Sequence, residues 1–225
     1  MSKRTARILI VDDEPAIVRV LQKSLLARKY EVLTSHDGEQ ALQLATQHHP
    51  DLILLDINLP GLSGIDICKK LRAQSLLPSI IVISVHNKER EKVKMLDAGA
   101  DDYIAKPFGI DEVLARIRVA LRHASHISPD EGTVTFSLGP LFVDTAQRLI
   151  QLHGEDIKLT PTEYQLLLIF LRNQGKVLTQ QTLLKQIWRD EQSAQANYLH
   201  VYVAHLRHKL EPDVAHPRFF QTISG

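Results

Sequence analysis

Along the first half of the chain, apolar residues gather into short unbroken runs separated by stretches of helical spacing. The runs are RILIV from Arg7, DLILL from Asp51, SIIVI from Ser79 and DYIA from Asp102, with a weaker one at 30–34. Runs this short and this rich in Ile, Val and Leu predict strands buried on both faces, at 7–12, 30–34, 51–56, 79–84 and 102–106. Between them, apolar positions recur at helical intervals over 15–28, 37–48, 64–74, 87–97 and 110–123. Pro15 stands where a first helical turn tolerates proline. Asp37-Gly38 and Asn58-Leu59-Pro60-Gly61 are turn chemistry. Strict alternation of strand and helix predicts an α/β domain with a parallel sheet covered on both faces. Five such units fit the flavodoxin-like (βα)5 strand order 2-1-3-4-5.

The pattern then changes. Residues 124–133, ASHISPDEGT, are polar with Pro and Gly, and read as a linker between a domain at 1–123 and another at 134–225. Short strand-like pieces VTFSL, LFVD and RLIQL precede a turn at His153-Gly154-Glu155. Three helical segments follow. The first opens on the capping box Thr160-Pro161-Thr162-Glu163 and is expected to end at a left-handed Gly175. Thr179 caps the second, which runs through Trp188, and the third spans about 194–210, stopping before Pro212.

The length of 225 residues suits two small domains, and 44% hydrophobic with 24% charged residues is ordinary for a globular chain. No apolar stretch approaches the roughly 18–20 residues that span a bilayer. The start MSKRTARILIVDD lacks the pattern of a secretory signal, so a cytoplasmic location without membrane contact is expected. The single Cys68 excludes an internal disulfide and reads as a small buried side chain. Residues 1–123 carry 18 basic and 16 acidic residues, and the remainder 9 and 10, so the second domain is not basic. Charge alone therefore counts against nucleic-acid binding there.

Four of the runs end on residues able to handle phosphate: Asp12 and Asp13, Asp56, Ser84, and Lys106 followed by Pro107. Ligands of a parallel sheet sit at the carboxyl ends of its strands, so these side chains are expected to converge. The second strand ends in Ser35, His36 and Asp37, which suggest no comparable role. Carboxylates this close repel one another, and a divalent cation removes the conflict. Magnesium suits such a set. Asp13 and Asp56 are expected as direct ligands, Asp12 through water, and the carbonyl of Asn58 as a further ligand. Asp56 can then attack a phosphoryl group in line, with the metal, Lys106 and Ser84 neutralising charge on its oxygens.

On ILIVDDE, DLILLDINLPGLSG, the Ser84 strand and GADDYIAKPF, the first domain resembles the receiver domain of two-component response regulators. The resemblance implies that Asp56 accepts phosphate from a sensor histidine kinase. It implies a cis Lys106-Pro107 bond and a switch in which Ser84 turns toward the phosphoryl group and Tyr103 moves inward. It further implies dimerisation through the fourth helix, fifth strand and fifth helix. Lys92, Asp97, Asp101, Asp102, Glu112, Arg116 and Arg122 are the charges on that face, with Lys92–Glu112 and Asp102–Arg116 as cross-subunit pairs.

On LTPTEYQLL, GKVLTQQTLLKQIW and HLRHKL, the second domain resembles the winged helix-turn-helix effector domain of the OmpR/PhoB class. That places the helix at 195–210 in the major groove of promoter DNA. Leu199, Val203, Leu206 and Leu210 form its packing stripe, and Asn197, His200, Ala204 and Arg207 a more polar one. Arg207 is expected at a guanine edge or phosphate, His200 and Asn197 at either, and Lys209, Lys185 and Arg189 at phosphates. Trp188 is expected in the core. Near-neutral charge implies weak binding by one copy, leaning on dimerisation. The family's terminal hairpin has a second strand carrying an arginine for the minor groove, and the chain ends at PRFFQTISG before it, so that hairpin is expected to be truncated. Longer stretches, DAGADDYIAKPFGI and NYLHVYVAHLRHKLEPD among them, resemble regulators of potassium-transport operons.

Two other readings use the same residues. A haloacid-dehalogenase-like, magnesium-dependent phosphohydrolase would need a second acid two residues after its aspartyl nucleophile, where this chain has Asn58. A constitutive DNA-binding pseudo-receiver would not need the full acidic set. No G-x-G-x-x-G or P-loop supports nucleotide binding. The expectation is a regulator rather than an enzyme.

Overall fold

The computed structural model describes residues 4–74, 77–85, 88–125, 134–188 and 198–223. The chain divides into two compact units, Met1–Ala124 and Ser125–Gly225.

In the first unit, β1 (Arg7–Val11), β2 (Glu31–Ser35), β3 (Leu52–Asp56), β4 (Ser79–Ser84) and β5 (Asp102–Ala105) form one sheet in the order β2-β1-β3-β4-β5. Every pairing is parallel. The intervening helices are α1 (Pro15–Leu26), α2 (Gly38–His48), α3 (Gly64–Ala73), α4 (Glu89–Asp97) and α5 (Ile110–Ser125). Alternate strand residues face opposite sides. Ile8, Ile10, Leu52, Leu54, Ile81, Ile83 and Ile104 pack in one cluster with Val18, Leu21 and Leu25 of α1 and Val113, Leu114 and Ile117 of α5. Their neighbours Leu9, Val11, Ile53, Leu55, Ile80 and Val82 are equally buried on the other side. Burial on both faces explains why these strands read as unbroken apolar runs.

Local chemistry sets the helix starts. Pro15 occupies the first turn of α1. The Asp37 side chain accepts from the Gln40 N–H at 2.8 Å to cap α2, and Ser63 caps α3 by accepting from Asp66. Helix α5 runs to Ser125, two residues into the expected linker, because Ala124 and Ser125 offer no break before Pro129. Residues 126–133 lie outside the described residues.

In the second unit, β6 (Thr135–Leu138), β7 (Leu141–Asp144), β8 (Leu149–Leu152) and β9 (Glu155–Asp156) form an antiparallel sheet in sequence order. Strand β9 has no counterpart in the sequence pattern. It closes a tight hairpin on β8 whose turn residues His153 (φ 54°) and Gly154 (φ 84°) both have the positive φ such a turn requires. Helices α6 (Pro161–Arg172), α7 (Gln180–Trp188) and α8 (Leu199–Leu210) follow. The capping box forms: the Thr160 N–H donates to Glu163 Oε2 at 2.8 Å, and the Glu163 N–H to Thr160 Oγ1 at 3.4 Å. Gly175 does adopt a positive φ of 77°, but in the turn beyond the Asn173 cap rather than as the cap itself.

Candidate functional site

Parallel strands bring the chemistry to one rim. Asp12 follows β1, Asp56 ends β3, Ser84 ends β4 and Lys106 follows β5. Single carboxylate oxygens of Asp12, Asp13 and Asp56 lie within 4.8 Å of one another. Asp12 and Asp56 are buried at 2% and 4% exposure, whereas Asp13 is exposed. The Lys106 ammonium reaches into the group, donating to Asp56 Oδ2 at 2.5 Å and to Asp12 Oδ2 at 3.0 Å. The other Asp56 oxygen accepts the Asn58 N–H at 2.9 Å, and Asp12 Oδ1 accepts the Glu14 N–H at 2.8 Å. Each buried carboxylate thus accepts a hydrogen bond on both of its oxygens.

The electrostatics follow from burial. Loss of water pushes the Asp12 carboxyl above its ordinary value, an effect the Glu14 N–H and the Lys106 ammonium reduce but do not cancel. Burial works against the charge on Lys106 too, but its bonds to Asp56, Glu14 and Asp12 outweigh that and raise its pKa. The pocket therefore holds a permanent cation beside clustered acids. That donor set, all hard oxygen with one exposed carboxylate open to water, fits a magnesium ion.

Ser84 is fully buried, and its carbonyl accepts the Lys106 N–H at 2.7 Å, tying the ends of β4 and β5 together. The Lys106-Pro107 bond is cis. Tyr103 is buried at 7% exposure, with Lys92 Nζ 5.4 Å from its ring centroid. Two contacts lie outside the sequence expectations. Glu14 accepts from Lys106 at 2.9 Å, and His36 Nδ1 lies 3.0 Å from the Asp12 carbonyl oxygen. The third acid in VDDE is the available signal for the first; nothing in the sequence marks the second.

The charges on α4, β5 and α5 divide. Arg116 binds Asp102 at 3.2 Å and Glu112 at 2.8 Å, so a pair expected across subunits forms within one chain. Asp101 requires correction. It is 3% exposed, accepts from Arg72 at 2.9 Å and from the Ile80 N–H at 3.0 Å, and so serves the interior rather than an outer face. Arg72 also donates to the carbonyls of Gly99 and Pro78. Asp97 is exposed at the end of α4, and Arg122 is half-buried on α5.

On α8, Leu199, Leu206 and Leu210 are buried, with Tyr202 and Val201 beside them, and Val203 is half-buried. Trp188 is buried, its ring centroid 5.7 Å from that of Tyr202. His200 and His208 are exposed on the helix, and Lys185 on α7. Arg207 departs from expectation: its guanidinium donates to the Phe220 carbonyl at 2.6 and 2.9 Å and to Thr222 Oγ1 at 2.7 Å. It clasps the segment after the helix instead of standing open to a base. Lys209 departs likewise, binding buried Glu163 at 2.6 Å and the Lys158 carbonyl. Arg189 and Asn197 lie outside the described residues.

The first unit matches the response regulator receiver domain over residues 8–118, and the second the C-terminal domain of transcriptional regulatory proteins over 154–225. The transcriptional regulatory protein KdpE of Mycobacterium tuberculosis is 42% identical over 97% of this chain and 96% of its own length. The KDP operon transcriptional regulatory protein KdpE of Escherichia coli is 44% identical, with the same coverage. A solved structure of a mutant of the protein RitR superposes with a TM-score of 0.75 at 30% identity, covering 92% of this chain and 90% of that one.

Proposed function

The chain belongs to the response regulators that join a receiver domain to an OmpR/PhoB-type DNA-binding domain and regulate transcription, and from that premise we propose that phosphorylation of Asp56 switches it. The donor is a sensor histidine kinase, KdpD-like, and the regulated genes are a potassium-transport operon. Likeness to two KdpE proteins along nearly the whole chain supports that choice. No described helix is long and apolar enough to cross a membrane, in keeping with a regulator that meets DNA in the cytoplasm.

Magnesium would be held by Asp13, Asp56 and the Asn58 carbonyl, with Asp12 through water, supplying positive charge to the phosphoryl oxygens. Asp56 presents a carboxylate oxygen to phosphorus; its O–P bond forms as the N–P bond of the kinase phosphohistidine breaks. The Asn58 N–H orients that carboxylate. Lys106 moves to a phosphoryl oxygen, and the Ser84 hydroxyl turns to another. Because the Ser84 carbonyl accepts the Lys106 N–H, these moves are joined at the end of the sheet. Tyr103, on the strand that leads to that end, passes the change to the face formed by α4, β5 and α5. Lys92, Asp97 and Arg122 pair there with a second copy, and Asp102, Glu112 and Arg116 exchange their pairing within the chain for partners across the seam. The dimer then presents two α8 helices to promoter DNA, with His200 and Lys185 at the contact.

One observation carries this reading: Lys106 bridges Asp12 and Asp56 beside Asp13, at the carboxyl ends of the strands. The test is beryllofluoride titration followed by sedimentation and DNA-binding measurements on the chain and on Asp56→Asn. Dimerisation and tighter binding are expected for the parent protein alone. Equal binding by both proteins with and without beryllofluoride would sink the switch. Steady turnover of small phosphomonoesters would replace it with an enzyme.

A further inference from the structure

We propose that Glu14 is a positioning residue for Lys106: it receives the ammonium when Asp12 and Asp56 turn to the cation, and so raises the pocket's affinity for magnesium. The inference rests on the magnesium reading above. Lys106 Nζ has three carboxylate partners, Asp56 Oδ2 at 2.5 Å, Glu14 Oε1 at 2.9 Å and Asp12 Oδ2 at 3.0 Å. Two of those belong to the clustered acids that would face the cation; Glu14 does not. Asp56 has no idle oxygen, because Asn58 holds one and Lys106 the other. Cation and ammonium therefore compete for the same oxygens.

Lys106 is 8% exposed, so releasing it without another partner would strand a charge away from water. Glu14 supplies that partner. Its main chain is fixed, since its N–H donates to Asp12 Oδ1 and it caps α1. Its side chain makes no capping bond to the helix and is 57% exposed. The carboxylate can thus follow the ammonium while the backbone stays. Without it, Lys106 remains on Asp12 and Asp56 and opposes the cation.

The experiment is calorimetric titration of the full chain with magnesium chloride, for the parent, Glu14→Gln, Lys106→Met and the double variant. Glu14→Gln is expected to weaken magnesium binding about two- to fivefold, the range of a partly exposed ion pair. In the Lys106→Met background the same change is expected to have no effect, because Glu14 acts through the ammonium. Equal loss in both backgrounds, or no loss in the parent, overturns the positioning role. A parent protein that fails to bind magnesium overturns the metal reading instead. Circular dichroism checks folding, and Lys106→Ala provides the second background if Lys106→Met does not fold.

Discussion

Gly64 starts α3 against the end of β3, and a Cβ placed there would lie 2.9 Å from the Asp56 carbonyl oxygen and from Ile57 Cα. Neither neighbour is a flexible side-chain end, so the backbone that carries Asp56 must shift. Gly64→Ala is expected to destabilise the first unit by about 1–3 kcal/mol. It should also slow phosphoryl uptake, because the Asn58 N–H that orients Asp56 lies on the displaced loop. Urea unfolding and acetyl-phosphate labelling measure the two effects. Arg207 makes the opposite point about reading single residues. Its place on a polar helical stripe was legible, but its partners, Phe220 and Thr222, are contributed by the chain beyond Pro212, where no periodicity operates. As a clasp, Arg207→Ala should lower stability of the second unit by about 1–2 kcal/mol. It should weaken binding to all DNA sequences alike, and selection from a randomised duplex library should return the same preferred bases as the parent.

Between elements, Glu163 joins two helices. It belongs to the capping box of α6, and it accepts from Lys209 of α8 at 2.6 Å, with His205 Nδ1 at 3.5 Å. Burial alone would raise its pKa; the contacts with His205 and Lys209 and the Thr160 N–H overcome that and hold it below the ordinary carboxylate value. A carboxyl lowered on folding contributes stability that is complete above its unfolded pKa and is lost as pH falls through its folded pKa. Unfolding free energies measured from neutral pH into acid should therefore converge between the parent and Glu163→Gln. At neutral pH the variant should be less stable by about 2 kcal/mol, below the full cost of breaking a buried pair because the partly exposed Lys209 regains water. The capping box was legible as four consecutive residues; its partners 42 and 46 positions later were not. The five strands were legible because burial on both faces leaves an apolar run. Asp101 was misplaced because neighbouring positions at a strand's start point to opposite sides: Asp102 reaches Arg116 of α5, and Asp101 reaches Arg72 of α3. Strand β9, with two residues, is too short to leave a pattern.

At the scale of the molecule, the pocket was legible once strand order was granted, since a parallel sheet gathers its carboxyl ends along one edge. The DNA-facing chemistry was less so, because charge counted along a chain ignores where each charge is used. The segment after residue 123 carries 9 basic and 10 acidic residues. Arg207, Lys209 and Arg148 among the basic ones engage Phe220, Glu163 and the Tyr164 ring within the unit. A single copy consequently has fewer cations to place on phosphates than that count suggests, and the salt dependence of its binding should be shallower than nine charges would give. Joining two copies turns the second contact into an intramolecular one, so affinity rises without any new contact within either copy. Fluorescence anisotropy over a salt series tests this on duplexes selected by the phosphorylated protein. With beryllofluoride, a duplex carrying two half-sites should bind at least about tenfold more tightly than one carrying a single half-site. Its slope of log affinity against log salt should be about twice as steep, because twice as many phosphate contacts release counterions. Equal slopes on the two duplexes would mean that one copy does all the binding, and that phosphorylation reaches DNA by some route other than pairing.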